Sequence, residues 1–206
     1  VIVSTRLTEQ VLDGAGVERV LVRLAHEICD RVEAEQRGPQ HLDPDSLALV
    51  GIRTGGAHLA ERLAQRIAAI RNHDVPVGLL DITLYRDDVL VGGPGGRVPL
   101  LRGTEVTFDV EGRYLVLVDD VLFTGRTVRA GLGALLDLGR PGCVRLAVLI
   151  DRGLRELPVA ADFVGREVPS EPGDHVEVEL TEEGHAADQV FIARPTNRRA
   201  SDEEAS

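Results

Sequence analysis

Apolar residues recur at spacings of three and four from Val17 through Val20, Leu21, Leu24, Ile28 and Val32, which predicts an amphipathic helix over residues 17–36. Gln36-Arg37-Gly38-Pro39 ends it. The period then changes. Leu47 to Ile52 (LALVGI) is short and apolar on both faces, as in a strand buried between two layers. Leu59, Leu63, Ile67 and Ile70 restore a helical stripe over about 57–71, and Val75 to Ile82 (VPVGLLDI) reads as a second strand. Tyr114 to Val118 is a third strand and Cys143 to Ile150 a fourth; the helix between them runs from about Thr127 to Leu138 and stops at Gly139-Arg140-Pro141. Strands alternating with helices imply a parallel α/β sheet with right-handed crossovers.

Two segments leave this rhythm. Residues 86–109 contain GGPGG and little periodicity, which in a compact domain marks a lid, a binding loop or disorder. Val176 to Leu180 and Gln189 to Ala193 alternate like a two-stranded ribbon beside the main sheet. Residues 194–206 are polar and are expected to fray.

Composition narrows the class. A chain of 206 residues with 43% apolar content can build one domain with its own core. No apolar run approaches the ~20 residues of a membrane span, and no signal-peptide pattern opens the chain. Cys29 and Cys143 lack a CxxC spacing or a histidine companion, so zinc is not indicated and a reducing cytoplasmic setting is expected. Net charge is −11, so contact with nucleic acid requires a local basic patch. Every basic residue is arginine, which rules out a Schiff-base lysine and a Walker-type phosphate loop.

Chemistry concentrates in LVLVDDVLFTGRT, Leu115 to Thr127. Ligands in open parallel sheets sit beyond the carboxyl ends of the strands, where Asp119 and Asp120 are expected. Two adjacent carboxylates raise each other's pKa if buried bare; a polyol with neighbouring hydroxyls would satisfy both. Thr124-Gly125-Arg126-Thr127 then opens a helix, whose unpaired N–H groups and positive dipole end suit a phosphate. An isolated DD or TGRT is more often an ordinary capped strand end. Parts in this register describe a ribose 5-phosphate site.

LVLVDDVLFTGRT resembles the ribose-phosphate signature of the type I phosphoribosyltransferases, which bind phosphoribosyl pyrophosphate (PRPP). DITLYRDD (Asp81 to Asp88), GRTVRAGLGALLDLGRP (Gly125 to Pro141), LIDRGLRELP (Leu149 to Pro158) and FVGREVPS (Phe163 to Ser170) resemble, more specifically, the bifunctional pyrimidine-operon attenuator and uracil phosphoribosyltransferase family. The resemblance implies a central parallel sheet flanked by helices, with a small hood and a flexible lid loop. It implies one domain over 1–193, a lid at about 86–109 that includes Arg86, and a hood ribbon at about 162–193. It implies the reaction of uracil with PRPP to give UMP and pyrophosphate. Asp119 and Asp120 would hold the ribose hydroxyls, and Val121, Leu122, Phe123, Thr124, Gly125, Arg126 and Thr127 would complete the ribose-phosphate loop. Arg53, Thr54, Gly55 and Gly56 would form the pyrophosphate loop. Read alone, this GxRTGG stretch is equally a plain strand-to-helix turn, and Gly55 stands where relatives often carry a basic residue. Asp151, Arg152 and Val176 would line the nucleotide pocket; for Arg152 a structural salt bridge, and for Val176 simple packing, remain open. Mg2+ would arrive with PRPP, without a direct protein ligand.

The same resemblance implies binding to pyrimidine-operon leader mRNA in the presence of uridine nucleotides, and assembly as a homodimer or homotetramer. Arg19, Arg23, His26, Arg155 and Arg166 are the candidate RNA contacts. Leu154 stands where the family usually has histidine and Ala160 where a basic residue is common, which reduces the charge offered to RNA and leaves the PRPP motif intact. Two further readings stay open: a phosphoribosyltransferase for another nucleobase, since the shared signature does not choose the base, and an RNA-binding attenuator whose pocket only senses nucleotide.

Overall fold

A computed structural model describes residues 6–36, 43–85 and 103–195. In chain order the elements are β1 (Arg6–Leu12), α1 (Gly14–Gln36), β2 (Leu47–Ile52), α2 (Gly55–Arg71), β3 (Val77–Leu80), β4 (Tyr114–Leu122), α3 (Arg126–Leu136), β5 (Cys143–Asp151), β6 (Phe163–Glu167), β7 (His175–Glu179) and β8 (Gln189–Pro195). Five parallel strands form the main sheet in the order β3-β2-β4-β5-β6. A second, antiparallel sheet has the order β1-β8-β7.

The continuous apolar runs are explained by burial on both faces. Leu47 and Leu49 of β2 and Tyr114, Val116 and Val118 of β4 pack with α1, α2 and the small sheet. Their neighbours Ala48, Val50, Ile52, Leu115 and Leu117 pack on the other face, with Val128, Ala134 and Leu135 of α3. Alternate residues of one strand thus serve two cores. No described helix is long and apolar enough to cross a membrane.

Four differences from the expected elements stand out. The strand expected to end at Val118 continues as β4 to Leu122, because β5 keeps pairing with it through Val121↔Ile150 and Leu122↔Asp151. Phe163–Glu167, expected within the hood ribbon, is the edge strand β6 of the main sheet. The ribbon itself has a third member, β1, paired with β8 from Arg6↔Pro195 to Leu12↔Val190. β8 runs on to Pro195, past the expected end of the ribbon at Ala193; residues 196–206 of the expected tail lie outside the described residues.

Candidate functional site

β2 gives out before β4 does. Their last paired residues are Gly51 and Val118, so Asp119 and Asp120 have β5 on one side and the 53–56 loop on the other. The two chains interlock there. A Cβ on Gly56 would run into the carbonyl oxygen of Val118, and one on Gly55 would lie 2.6 Å from Asp120 Oδ2. Gly56 therefore needs to be glycine so that the loop backbone can reach β4, while a side chain at Gly55 would require the Asp120 carboxylate to shift. Asp119 is buried, 4% exposed, and its Oδ1 accepts from the Asp120 N–H at 3.1 Å. Asp120 Oδ1 accepts from the Val121 N–H at 2.7 Å. These local bonds orient both carboxylates at the sheet's carboxyl rim.

Beyond Leu122 the chain turns through Phe123, Thr124 and Gly125 into α3. Gly125 has φ +90°, a left-handed conformation that a side chain disfavours. Residues 121–128 line a hollow of about 240 Å³ at the start of this helix. The turn is braced from behind: Thr124 O accepts from the N–H groups of Glu156 and Leu157, both at 3.0 Å, and Arg126 Nε donates to Glu156 Oε2 at 2.7 Å. The first N–H groups of α3 thus form a fixed concavity of the kind that receives a phosphate.

Asp151 ends β5, and Arg152 and Arg155 follow it. Arg152 is 5% exposed; its Nε donates to Ser170 Oγ and its Nη2 to Asp174 O, both at 2.9 Å. Its guanidinium lies 4.0 Å from the centroid of the Phe123 ring, a cation–π stack. Burial pushes the Arg152 pKa down, against the pull of Asp174. Arg152 is thus a strut between the phosphate turn and the chain leading into β7. Ser170 closes the FVGREVPS stretch without having been assigned a role there, and Asp174 lies in no motif. Val176 is buried in the core, paired with Ile192 across the small sheet.

The expected RNA contacts divide. Arg19, Arg23 and Arg166 flank one groove of about 370 Å³, floored by Gly16 and Gly165. Arg23 Nη2 donates to the carbonyls of Val164 and Gly165, and Arg166 Nη1 to Val11 O at 3.2 Å. His26 is exposed and follows Arg23 by three residues on α1, hence on the same helical face. Arg155 is elsewhere: it donates to Asp151 Oδ2 and to the carbonyls of Phe123, Gly153 and Val159, tying together the ends of β4 and β5. Leu154, 38% exposed, sits beside it with φ +57°.

Arg86 and residues 86–102 of the expected lid lie outside the described residues. The chain on either side of them is joined at Asp81, which accepts from the Thr83 N–H at 2.9 Å and from the Gly103 N–H at 3.3 Å. Glu105 forms an antiparallel bridge with Leu79 of β3 and accepts from Arg53 Nη2 at 2.7 Å. Periodicity alone left this pairing hidden, since a single bridge has no repeat.

A parallel five-stranded sheet, helices on both faces and an open helix-starting turn after a paired-carboxylate strand define the type I phosphoribosyltransferase fold. The phosphoribosyl transferase domain family matches residues 8–183, and the chain belongs to that family. The hypoxanthine phosphoribosyltransferase of Trypanosoma cruzi shares the fold, with a TM-score of 0.64 at 17% identity, over 91% of this chain and 97% of that one. In sequence the chain is 50% identical to the Bifunctional protein PyrR of Listeria welshimeri over 182 residues, 88% of this chain and 94% of that protein. It is 53% identical to the Bifunctional protein PyrR of Pelotomaculum thermopropionicum over 173 residues, 84% and 89% of the two chains.

Proposed function

We propose that the protein is a cytoplasmic uracil phosphoribosyltransferase that also regulates pyrimidine-operon expression by uridine-nucleotide-dependent binding to leader mRNA. The observation that carries the enzymatic half is the carboxylate pair on β4 where β2 has stopped, with the α3 turn on one side and the 53–56 loop against it. The identity to bifunctional PyrR proteins supports uracil as the base.

In the reaction the bond from ribose C1 to the pyrophosphate oxygen breaks, the pyrophosphate takes the electron pair, and uracil N1 bonds to C1 and loses its proton. Positive charge grows on the ribose ring in between. Asp119 and Asp120 hold the ribose hydroxyls and supply negative potential beside that charge. The amides after Phe123 hold the 5-phosphate, and the 53–56 loop faces the leaving pyrophosphate. The carboxylates are hard oxygen donors, which fits Mg2+ carried largely by PRPP oxygens; bound there, the ion would offset charge on the leaving group. Arg152 acts through Phe123, setting the attitude of the phosphate turn and of the chain before β7.

Pyrophosphate release with PRPP and each of uracil, hypoxanthine, guanine, adenine and orotate tests the reading. Turnover with uracil alone is expected. Turnover with a purine or orotate would reassign the base, and no turnover together with UMP-dependent RNA retention would leave a nucleotide sensor. The groove between Arg19, Arg23 and Arg166 supports the regulatory half. A mobility shift with a pyrimidine leader RNA, with UMP at stated salt, checks it; no shift at modest salt would leave the enzyme alone. Assembly as a homodimer or homotetramer is part of the same proposal, read by sedimentation.

A further inference from the structure

Arg53 is the only basic residue of the 53–56 loop. Its N–H donates to Leu80 O at 3.0 Å, so its backbone is pinned between the ends of β2 and β3. The side chain is 21% exposed and is already engaged, with Nη2 donating to Glu105 Oε1. Arg53 Nε is buried and donates to no acceptor among the described residues. Among the described residues, Glu105 thus takes one outer nitrogen of a guanidinium whose planar fork matches two oxygens of a carboxylate or phosphate.

Glu105 is presented from a fixed place. It exchanges backbone hydrogen bonds of 2.9 and 2.8 Å with Leu79, one residue before the end of β3. Its carboxylate is 63% exposed and is free to turn into solvent if another anion takes its place. Gly55 adds a constraint. A side chain there would press on Asp120, so a second cation at that position would require Asp120 to move. Arg53 is left as the loop's one cationic side chain toward a multiply charged leaving group.

We propose that Glu105 is a positioning residue that holds Arg53 in place and competes with pyrophosphate for its guanidinium, thereby setting how tightly PRPP and the pyrophosphate product bind. An ion pair whose carboxylate lies open to solvent is weak, so an incoming pyrophosphate with several charges displaces it readily and takes its place on the guanidinium. Until then the carboxylate keeps Arg53 extended and screens it from other anions. This inference rests on the phosphoribosyltransferase reading of the site.

The test titrates magnesium pyrophosphate, and separately PRPP, into wild type, Glu105→Gln, Arg53→Ala and the double variant by calorimetry, with steady-state kinetics alongside. Glu105→Gln is expected to bind both ligands about threefold more tightly, the scale of an exposed ion pair. It should lower KM for PRPP with kcat near wild type and deepen product inhibition by pyrophosphate. In the Arg53→Ala background the same substitution should change nothing. Equal affinity of wild type and Glu105→Gln would overturn the proposal, as would a gain that persists unchanged without Arg53, since that would be a general field effect. If wild type bound neither PRPP nor pyrophosphate, the reading of the site itself would fall, and this inference with it.

Discussion

Replacing Asp119 or Asp120 by asparagine keeps the shape of each side chain and removes its charge. Turnover is expected to fall about a hundredfold in either variant, the usual scale for losing one aimed electrostatic group, while the thermal midpoint stays close to wild type. Full activity in both variants would refute the ribose role. Gly56 makes the opposite point, because its contribution is backbone space. Gly56→Ala forces a methyl against Val118 O and is expected to cost about 1–3 kcal/mol, the range for overpacking, as read by urea unfolding. The motif made both carboxylates legible from their types alone. That Gly55 and Gly56 face them was not legible, because the distance between residues 56 and 118 is set by strand pairing.

At the scale of elements, the small sheet is fastened to α2 by Arg62. Its guanidinium donates to both oxygens of Asp188 and both of Glu182, the latter two in the chain between β7 and β8. Hydrogen bonds from Arg62 hold the Asp188 and Glu182 carboxyls below their ordinary values. Groups depressed in the folded state stabilise it above the unfolded carboxylate value of about 4. That stabilisation is lost as pH falls through the lowered folded values. Asp188 carries more of it, being 17% exposed against 35% for Glu182. Arg62→Ala should destabilise by about 2 kcal/mol at neutral pH, and the gap from wild type should close as the medium is acidified below about pH 4. Chemical denaturation across that range checks both. This clasp left no local signal, since its members are more than a hundred residues apart. β1 was hidden for a related reason: Leu7 is 57% exposed, and the residues that reach the core, Val11 and Leu12, are adjacent, so no alternation marks it.

Across the whole molecule, an acidic chain of net charge −11 must bind RNA through a restricted patch or not at all. The patch we propose is the groove of Arg19, Arg23 and Arg166. Arg19→Ala and Arg166→Ala are each expected to weaken leader-RNA retention and to lower the salt slope by about one, with uracil turnover unchanged; nitrocellulose retention across a salt series measures it. Arg155→Ala should act differently, loosening the ends of β4 and β5 and lowering turnover, because its donors are spent on Asp151 and on carbonyls around the phosphate turn.

Sequence alone determined the alternation of strands and helices, the two-faced burial of the central strands and the ribose-phosphate motif, since periodicity and adjacent residue types are properties of short stretches. Tertiary structure decided how far β4 outruns β2, where the glycine loop meets the carboxylates, that Arg152 stacks on Phe123, and that Glu105 holds Arg53. Each of those depends on residues distant in the chain meeting at particular distances, which the packing of two cores around one sheet brings about.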